Sequence, residues 1–290
     1  LNTLLNADQN SFDPAWERIA QHFDVLFTTE HSIDQLKQTI LQLAVMGKLV
    51  LQDPSDEPAS VLLEKIAAEK EQLIKDGKIK KQKALPEISE DEKPFALPNG
   101  WEWSRVAFMG IGSTGKTPKT SMTECFNGNI PFIGPGQITP LGKLLDSDKT
   151  LTEVGLGYST EANIGDILMV CIGGSIGKAS IADKRISFNQ QINALQPLIA
   201  SSGYLYIAMT ANFFYQSVLA SSTGSATPII NRMKWEELLV PLPPEAEQPR
   251  IVAKVDELMT LCDELKVRLQ EAQETKLHLA DAMAEQALNS

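Results

Sequence analysis

Apolar residues at Ile33, Leu36, Ile40 and Leu43 recur at spacings of three, four and three, which lines one face of a helix. Gly47 follows as a stop, and residues 52–58, Gln-Asp-Pro-Ser-Asp-Glu-Pro, are turn chemistry. A second helix is predicted from about Ala59 to Lys75, with Leu62, Leu63, Ile66, Leu73 and Ile74 as its apolar positions. Lys75, Lys78, Lys80, Lys81 and Lys83 then crowd a short segment, followed by Pro86, the acids at 90–92 and Pro94. This reads as a solvated connector whose acids cancel its lysines, with a phosphate-binding role as the alternative.

The pattern changes from about residue 95 to 243. Short apolar runs at 130–133, 167–172 and 194–198 stand between glycines and prolines, which predicts strands, with one helix over 204–219. Beyond it lies a long helix. Ile251, Val255, Leu258, Cys262, Leu265, Leu269 and Ala272 alternate spacings of four and three, and Leu279 and Met283 continue the register past Lys276. At a rise of ~1.5 Å per residue this makes a rod of roughly 60 Å. So narrow a stripe wants a partner helix, so a coiled coil and a homodimer through Ile251 to Met283 are expected. Residues 18–27 and 250–259 also align, with Arg, Ile, Asp and a late hydrophobic pair in register, placing one helix type before and after the middle segment. The expected fold is α+β. A globular mixed α/β domain at 95–243 is flanked by a helical region and linker at 1–94 and a long helix at 244–290, the helices forming a coiled-coil spacer.

Composition narrows the class. Apolar residues make up 43% and charged residues 22%, as in globular proteins. No run approaches the length of a membrane span. Cys125, Cys171 and Cys262 are dispersed, and His22, His31 and His278 lack ligand spacing, so neither disulfides nor a metal site is expected. The chain opens Leu1-Asn2-Thr3 with no signal-peptide pattern. A cytoplasmic protein is expected, with its natural start missing or processed. The net charge of −11 looks wrong for a nucleic-acid binder. Counted by segment, 1–94 has 11 basic and 17 acidic residues, 95–243 has 10 of each, and 244–290 has 5 and 10. The acid sits at the two ends, and the middle is balanced.

Residues 110–117, Gly-Ile-Gly-Ser-Thr-Gly-Lys-Thr, fit the phosphate-loop pattern G-x-x-x-x-G-K-T. That chemistry needs a helix directly after the loop, and Pro118, Gly128, Pro131 and Gly134 leave no room for a long one. A nucleotide-binding protein is therefore the alternative, as is a coiled-coil scaffold without DNA. Asp13-Pro14-Ala15-Trp16 comes near the D-P-P-W of adenine methyltransferases but reads as a helix start, with Asp13 as cap. No nucleophile with paired His and Asp appears, so the chain is expected to be non-catalytic.

The loops of the middle segment carry polar clusters. They are Lys116, Thr117 and Lys119; Ser175 and Lys178 in a glycine-rich turn; Asn189, Gln190 and Gln191; and Ser225 and Thr227 ahead of Asn231 and Arg232. Asn and Gln pair bidentately with adenine, Arg and Lys with guanine, and Ser or Thr with either. The competing role is structural, with glycines making turns and amides satisfying buried backbone.

Residues 41–50, Leu-Gln-Leu-Ala-Val-Met-Gly-Lys-Leu-Val, with Gln52-Asp53-Pro54, resemble the conserved helix end of type I restriction-modification specificity subunits. Residues 97–103, Leu-Pro-Asn-Gly-Trp-Glu-Trp, are similar to the start of that family's target recognition domain. Gly165-Asp166-Ile167-Leu168, Ile176-Gly177-Lys178 and Asn189-Gln190-Gln191 follow its pattern inside that domain, and Pro241-Leu242-Pro243-Pro244, Glu247-Gln248 and Arg250-Ile251-Val252 resemble its exit. Pro249 departs from the pattern and is expected to shift the helix start to about Gln248.

The resemblance implies two recognition domains spaced by two long helices, each domain reading half of a bipartite double-stranded DNA target. Methyltransferase subunits dock on the helices, and a restriction subunit completes the complex. S-adenosylmethionine, ATP and magnesium would belong to those partners, and no cofactor to this chain. With one recognition domain, this chain is expected to be a half.

Overall fold

The computed structural model describes residues 1–6, 9–81 and 84–288. Gln82 and Lys83 of the lysine run lie outside the described residues, as do the side chains of Asp13 and Asp24. The chain forms two compact units, Leu1–Ala44 with Ala253–Ser290, and Val45–Val252.

In the first unit, helix Glu30–Val45 buries Ile33, Leu36, Ile40, Leu43 and Ala44, the face expected from their spacing. Its start is fixed by a reciprocal pair. Ser32 N donates to Thr29 Oγ1 at 3.1 Å, and Thr29 N donates to Ser32 Oγ at 3.1 Å. The C-terminal helix, Glu247–Leu288, runs antiparallel to it within this unit. Lys37 pairs with Asp263, Lys266 meets Asp34 at 3.3 Å and Glu30 at 3.1 Å, and Gln270 donates to Glu30 at 2.8 Å. One set of numbers rises as the other falls, which fixes the sense.

This corrects the expectation of an intermolecular partner along the whole stripe. Val255 and Cys262 are buried and Leu258, Leu265 and Leu269 half-buried, with that length covered from within the chain. Residues 271–288 are exposed throughout, Leu279 and Met283 included. The 18–27 repeat is likewise one of sequence and not of shape. Helix Gln9–Gln21 ends there and a separate turn, Phe23–Leu26, follows, whereas 250–259 is unbroken helix.

The second unit is built on strands β1 (Glu102–Arg105), β2 (Gly110–Thr114), β3 (Phe126–Ile133), β4 (Thr150–Leu151), β5 (Glu161–Ala162), β6 (Ile167–Val170), β7 (Ala179–Ile181), β8 (Ile186–Phe188), β9 (Ile192–Pro197) and β10 (Leu239–Leu242). β2-β9-β6-β7 form an antiparallel sheet. β4-β3-β8-β5 form a mixed one, with β3 and β8 parallel. Leu168, Val170, Ile192 and Ala194 of the first sheet pack with Ile133, Ala162, Ile186 and Phe188 of the second in one core. β1 pairs with β10, so the start and end of the domain close on each other.

The phosphate-loop reading fails on this topology. Residues 110–114 are strand, hydrogen-bonded to β9, and the next helical piece after Thr117 is a single turn at Thr123–Cys125. Among the described residues, no helix follows the loop directly to present its N-terminus to a phosphate. The helix predicted over 204–219 is two, Ser202–Thr210 and Asn212–Ser221, broken at the buried, extended Ala211. Helix Ala59–Lys75 has the bounds expected from its sequence.

The second unit is wider than 95–243, because its two ends are knitted together. Gln52 Nε2 donates to the Gly47 carbonyl at 2.7 Å, and Trp101 Nε1 donates to Glu247 Oε2 at 2.9 Å. Arg250 pairs with Asp56, and Gln248 Oε1 accepts from Ser201 N at 2.7 Å. Gly47 sits at φ +67°, where a side chain would be strained, and a Cβ there would lie 2.3 Å from Pro98 Cγ. Pro249 is accommodated inside the first turn, and the helix starts at Glu247.

Glu247 is fully buried, and burial pushes its carboxyl pKa up despite the hydrogen bonds from Trp101 and Gln52. A raised folded-state value means the folded protein holds the proton longer. Glu247 thus costs stability as pH rises from the ordinary glutamate value through the raised one. Glu247→Gln keeps an acceptor for Trp101 without the charge. The stability difference, variant minus wild type, is expected to grow more favourable to the variant from acidic to neutral pH, as read by denaturant melts. A difference flat across that range contradicts the assignment.

Candidate nucleic-acid interface

The sheet order brings together loops far apart in sequence. β2 ends at Thr114, β9 begins at Ile192 after the 189–191 turn, and β6 ends at Val170 ahead of the 171–178 loop into β7. All three ends lie on one side, because Thr114 pairs with Asn193 and Ile192 with Val170.

Backbone bonds weld the loops together. Lys116 N donates to the Phe188 carbonyl at 3.1 Å and Gly115 N to that of Ile192 at 3.0 Å. Cys171 N donates to the Gln191 carbonyl at 2.7 Å, Gly173 N to Pro228 at 2.9 Å and Ile230 N to Cys171 at 3.0 Å. Beneath them runs a polar chain. Thr114 Oγ1 donates to Asn193 Oδ1 at 2.8 Å, and Asn193 Nδ2 donates to Cys171 Sγ at 3.2 Å. Burial pushes the Cys171 thiol up to about 12, so it stays protonated and inert.

The loop residues 114–119, 173–178, 189–191 and 222–231 contain three lysines and no acidic residue. A segment with balanced total charge therefore presents a basic cluster at one end. Among the described residues Lys116, Lys119 and Lys178 have no carboxylate partner, and Lys116 and Lys119 are exposed. Cations displayed on a cradle of backbone and hydroxyl groups suit a phosphodiester chain.

The candidate side chains divide by their partners. Thr117 Oγ1 donates to Gln190 Oε1 at 2.7 Å, with both residues exposed. Asn189 is folded into its own turn, taking Gln191 N on Oδ1 at 3.0 Å and giving Nδ2 to Gln191 Oε1 at 3.2 Å. Ser225 and Thr227 are exposed, and Ser175 and Lys178 half-buried, in loops joined by the Gly173–Pro228 bond. Asn231 caps helix Arg232–Glu236 by accepting from Lys234 N at 3.0 Å. Arg232 is tied to the body of β2, donating to the Gly112 carbonyl at 2.9 Å, and lies 3.5 Å from Glu236.

Sequence reasoning missed Tyr158, Ser159 and Thr160. Ser159 Oγ donates to the Lys116 carbonyl and Thr160 Oγ1 to that of Thr114 at 2.8 Å, leaving Tyr158 exposed beside the loop. It missed Tyr215 as well, whose ring lies so close to Gly177 that a Cβ there would sit 2.5 Å from Cδ2. No local signal marks these residues, since they reach the loops only through tertiary contacts.

Among the described residues, no group of His, Cys, Asp and Glu is arranged to hold a metal ion, and no helix is long and apolar enough to cross a membrane.

Residues 98–274 match the family model described as the type I restriction modification DNA specificity domain. The chain is 42% identical to the type I restriction enzyme EcoEI specificity subunit of Escherichia coli, over all of this chain and 51% of that protein. It is 39% identical to the EcoAI specificity subunit of the same species, over 94% of this chain and 48% of that protein. It thus spans about half the length of these relatives. A solved type I restriction-modification structure, reported on complex assembly and conformational transition, matches in fold with a TM-score of 0.53 at 19% identity, over 93% of this chain and 58% of that one. The chain belongs to the family of type I restriction-modification DNA specificity proteins.

Proposed function

We propose that this chain is a non-catalytic subunit that reads one half of a bipartite double-stranded DNA target, through the loop cluster at the end of β2, β6 and β9. The observation that carries this reading is the concentration of Lys116, Lys119 and Lys178, without acids, among exposed amides and hydroxyls. The acid-rich ends repel DNA and leave the cluster as the attractive face. The helical unit docks methyltransferase subunits, and a restriction subunit joins through the complex. S-adenosylmethionine, ATP and magnesium belong to those partners, which share the cytoplasm with this chain. A second domain or a second copy supplies the other half-site.

The test is DNA binding by the complex of this chain with its methyltransferase subunits across a salt series. Each phosphate contact contributes roughly 0.9 to the slope of log K against log salt. Replacing Lys116, Lys119 and Lys178 together by alanine is expected to weaken binding on all sequences and to lower that slope by about 2–3. An unchanged slope sinks the assignment of these loops.

A further inference from the structure

Five amide and guanidinium side chains in this cluster can pair bidentately with a base edge: Asn189, Gln190, Gln191, Asn231 and Arg232. Each is held by at least one hydrogen bond, and among the described residues the exposed amides Gln190 and Asn231 both keep an unpartnered amino group; Asn231 is fixed by a backbone N–H, whereas Gln190 is held only by another exposed loop side chain. Asn189 and Gln191 hold each other, Asn231 caps a helix, and Arg232 is bound to the Gly112 carbonyl. Gln190 is exposed, and its one side-chain partner is Thr117 Oγ1, which donates to Oε1 at 2.7 Å. Oε1 keeps a second lone pair, and among the described residues nothing takes the two Nε2 hydrogens.

We infer that Gln190, oriented by the Thr117 hydroxyl, is the side chain that reads an adenine in the major groove; this rests on the DNA-reading function proposed above. The free half of the amide is one acceptor beside one donor. Adenine presents the complement, N7 as acceptor and the N6 amino group as donor. Guanine presents two acceptors and leaves Oε1 facing O6, and cytosine offers only a donor. Thr117 is a positioning residue. Its bond fixes which way the amide faces before DNA arrives, and Lys116 and Lys119 beside it hold the phosphate backbone that sets the depth of approach.

The experiment measures binding by the methyltransferase complex to its methylated motif, with every base pair substituted in turn. For Gln190→Ala the preference at a single A·T pair is expected to fall roughly 5- to 150-fold, with other positions and the salt slope unchanged. Gln190→Glu is expected to move the preference at that pair to C·G, since a carboxylate accepts from cytosine N4. Thr117→Val lowers the same preference by a smaller factor, and Thr117→Ser restores it. Gln190→Ala with wild-type preference at every position overturns the inference, and so does a uniform loss at all positions. A wild-type complex with no base preference anywhere refutes the DNA-reading function itself, a separable result.

Discussion

Phe188→Ala is expected to lower the unfolding free energy of the globular unit by about 3–5 kcal/mol. Phe188 is fully buried between the two four-stranded sheets, packed with Ile133, Leu168, Val170, Ile186 and Ile192. Truncation removes the transfer energy of the ring and leaves a cavity that flanking strands cannot collapse into, because both are pinned by ladder bonds. Domains of this size are stable by about 5–15 kcal/mol, so the loss is a large fraction of the total. The residue also sits at the foot of the candidate loop cluster. Its carbonyl accepts from Lys116 N, and Asn189 follows it directly. Chemical denaturation should show a lowered midpoint, and DNA binding should weaken even under conditions where the variant remains folded. A loss below about 1 kcal/mol would show that Phe188 does not join the sheets.

Gly115→Ala is expected to damage the interface more selectively. A Cβ at Gly115 would lie 2.0 Å from the Asn189 carbonyl oxygen and 2.6 Å from that of Phe188. Both obstacles are backbone, so neither can rotate away. The Lys116–Thr117 segment must move off the 189–191 turn, breaking the Gly115–Ile192 and Lys116–Phe188 bonds. Overpacking of this kind costs about 1–3 kcal/mol. The displacement also separates Thr117 from Gln190, so at least a tenfold loss of DNA affinity, on the order of 1.4 kcal/mol, is expected. Gly174→Ala is the control for stability, because a Cβ there meets open space and Gly174 has no positive φ. Equal melting behaviour of the two variants would contradict the close approach.

These two glycines mark the boundary of what the sequence makes legible. Periodicity located the helices Glu30–Val45 and Ala59–Lys75 and the cores of β3, β6 and β9, because those signals are local. The family resemblance rested in part on the 41–54, 97–103 and 241–252 segments. Those segments are legible because they must meet: Gly47, Gln52, Trp101 and Glu247 close the base of the domain. The phosphate-loop pattern misled because it specifies letters and not the helix that must follow. Nothing in the pattern marks the helix break at Ala211, a good helix former that is extended and buried in the fold.

The partner of the heptad stripe was also hidden. Lys37 and Asp263 are 226 positions apart, and only the fold reveals that they pair. The roles open to the candidate residues depend on their partners. Three consecutive amides look equivalent in sequence, yet Asn189 and Gln191 are spent on the turn while Gln190 is not.

The most direct test of the central claim is photocrosslinking of the chain, assembled with its methyltransferase subunits, to duplex DNA carrying its methylation motif, with the crosslinked residues mapped by mass spectrometry. The account predicts crosslinks within residues 114–119, 173–178, 189–191 and 222–231. Crosslinks confined to other parts of the chain, with these four loops untouched, would contradict it.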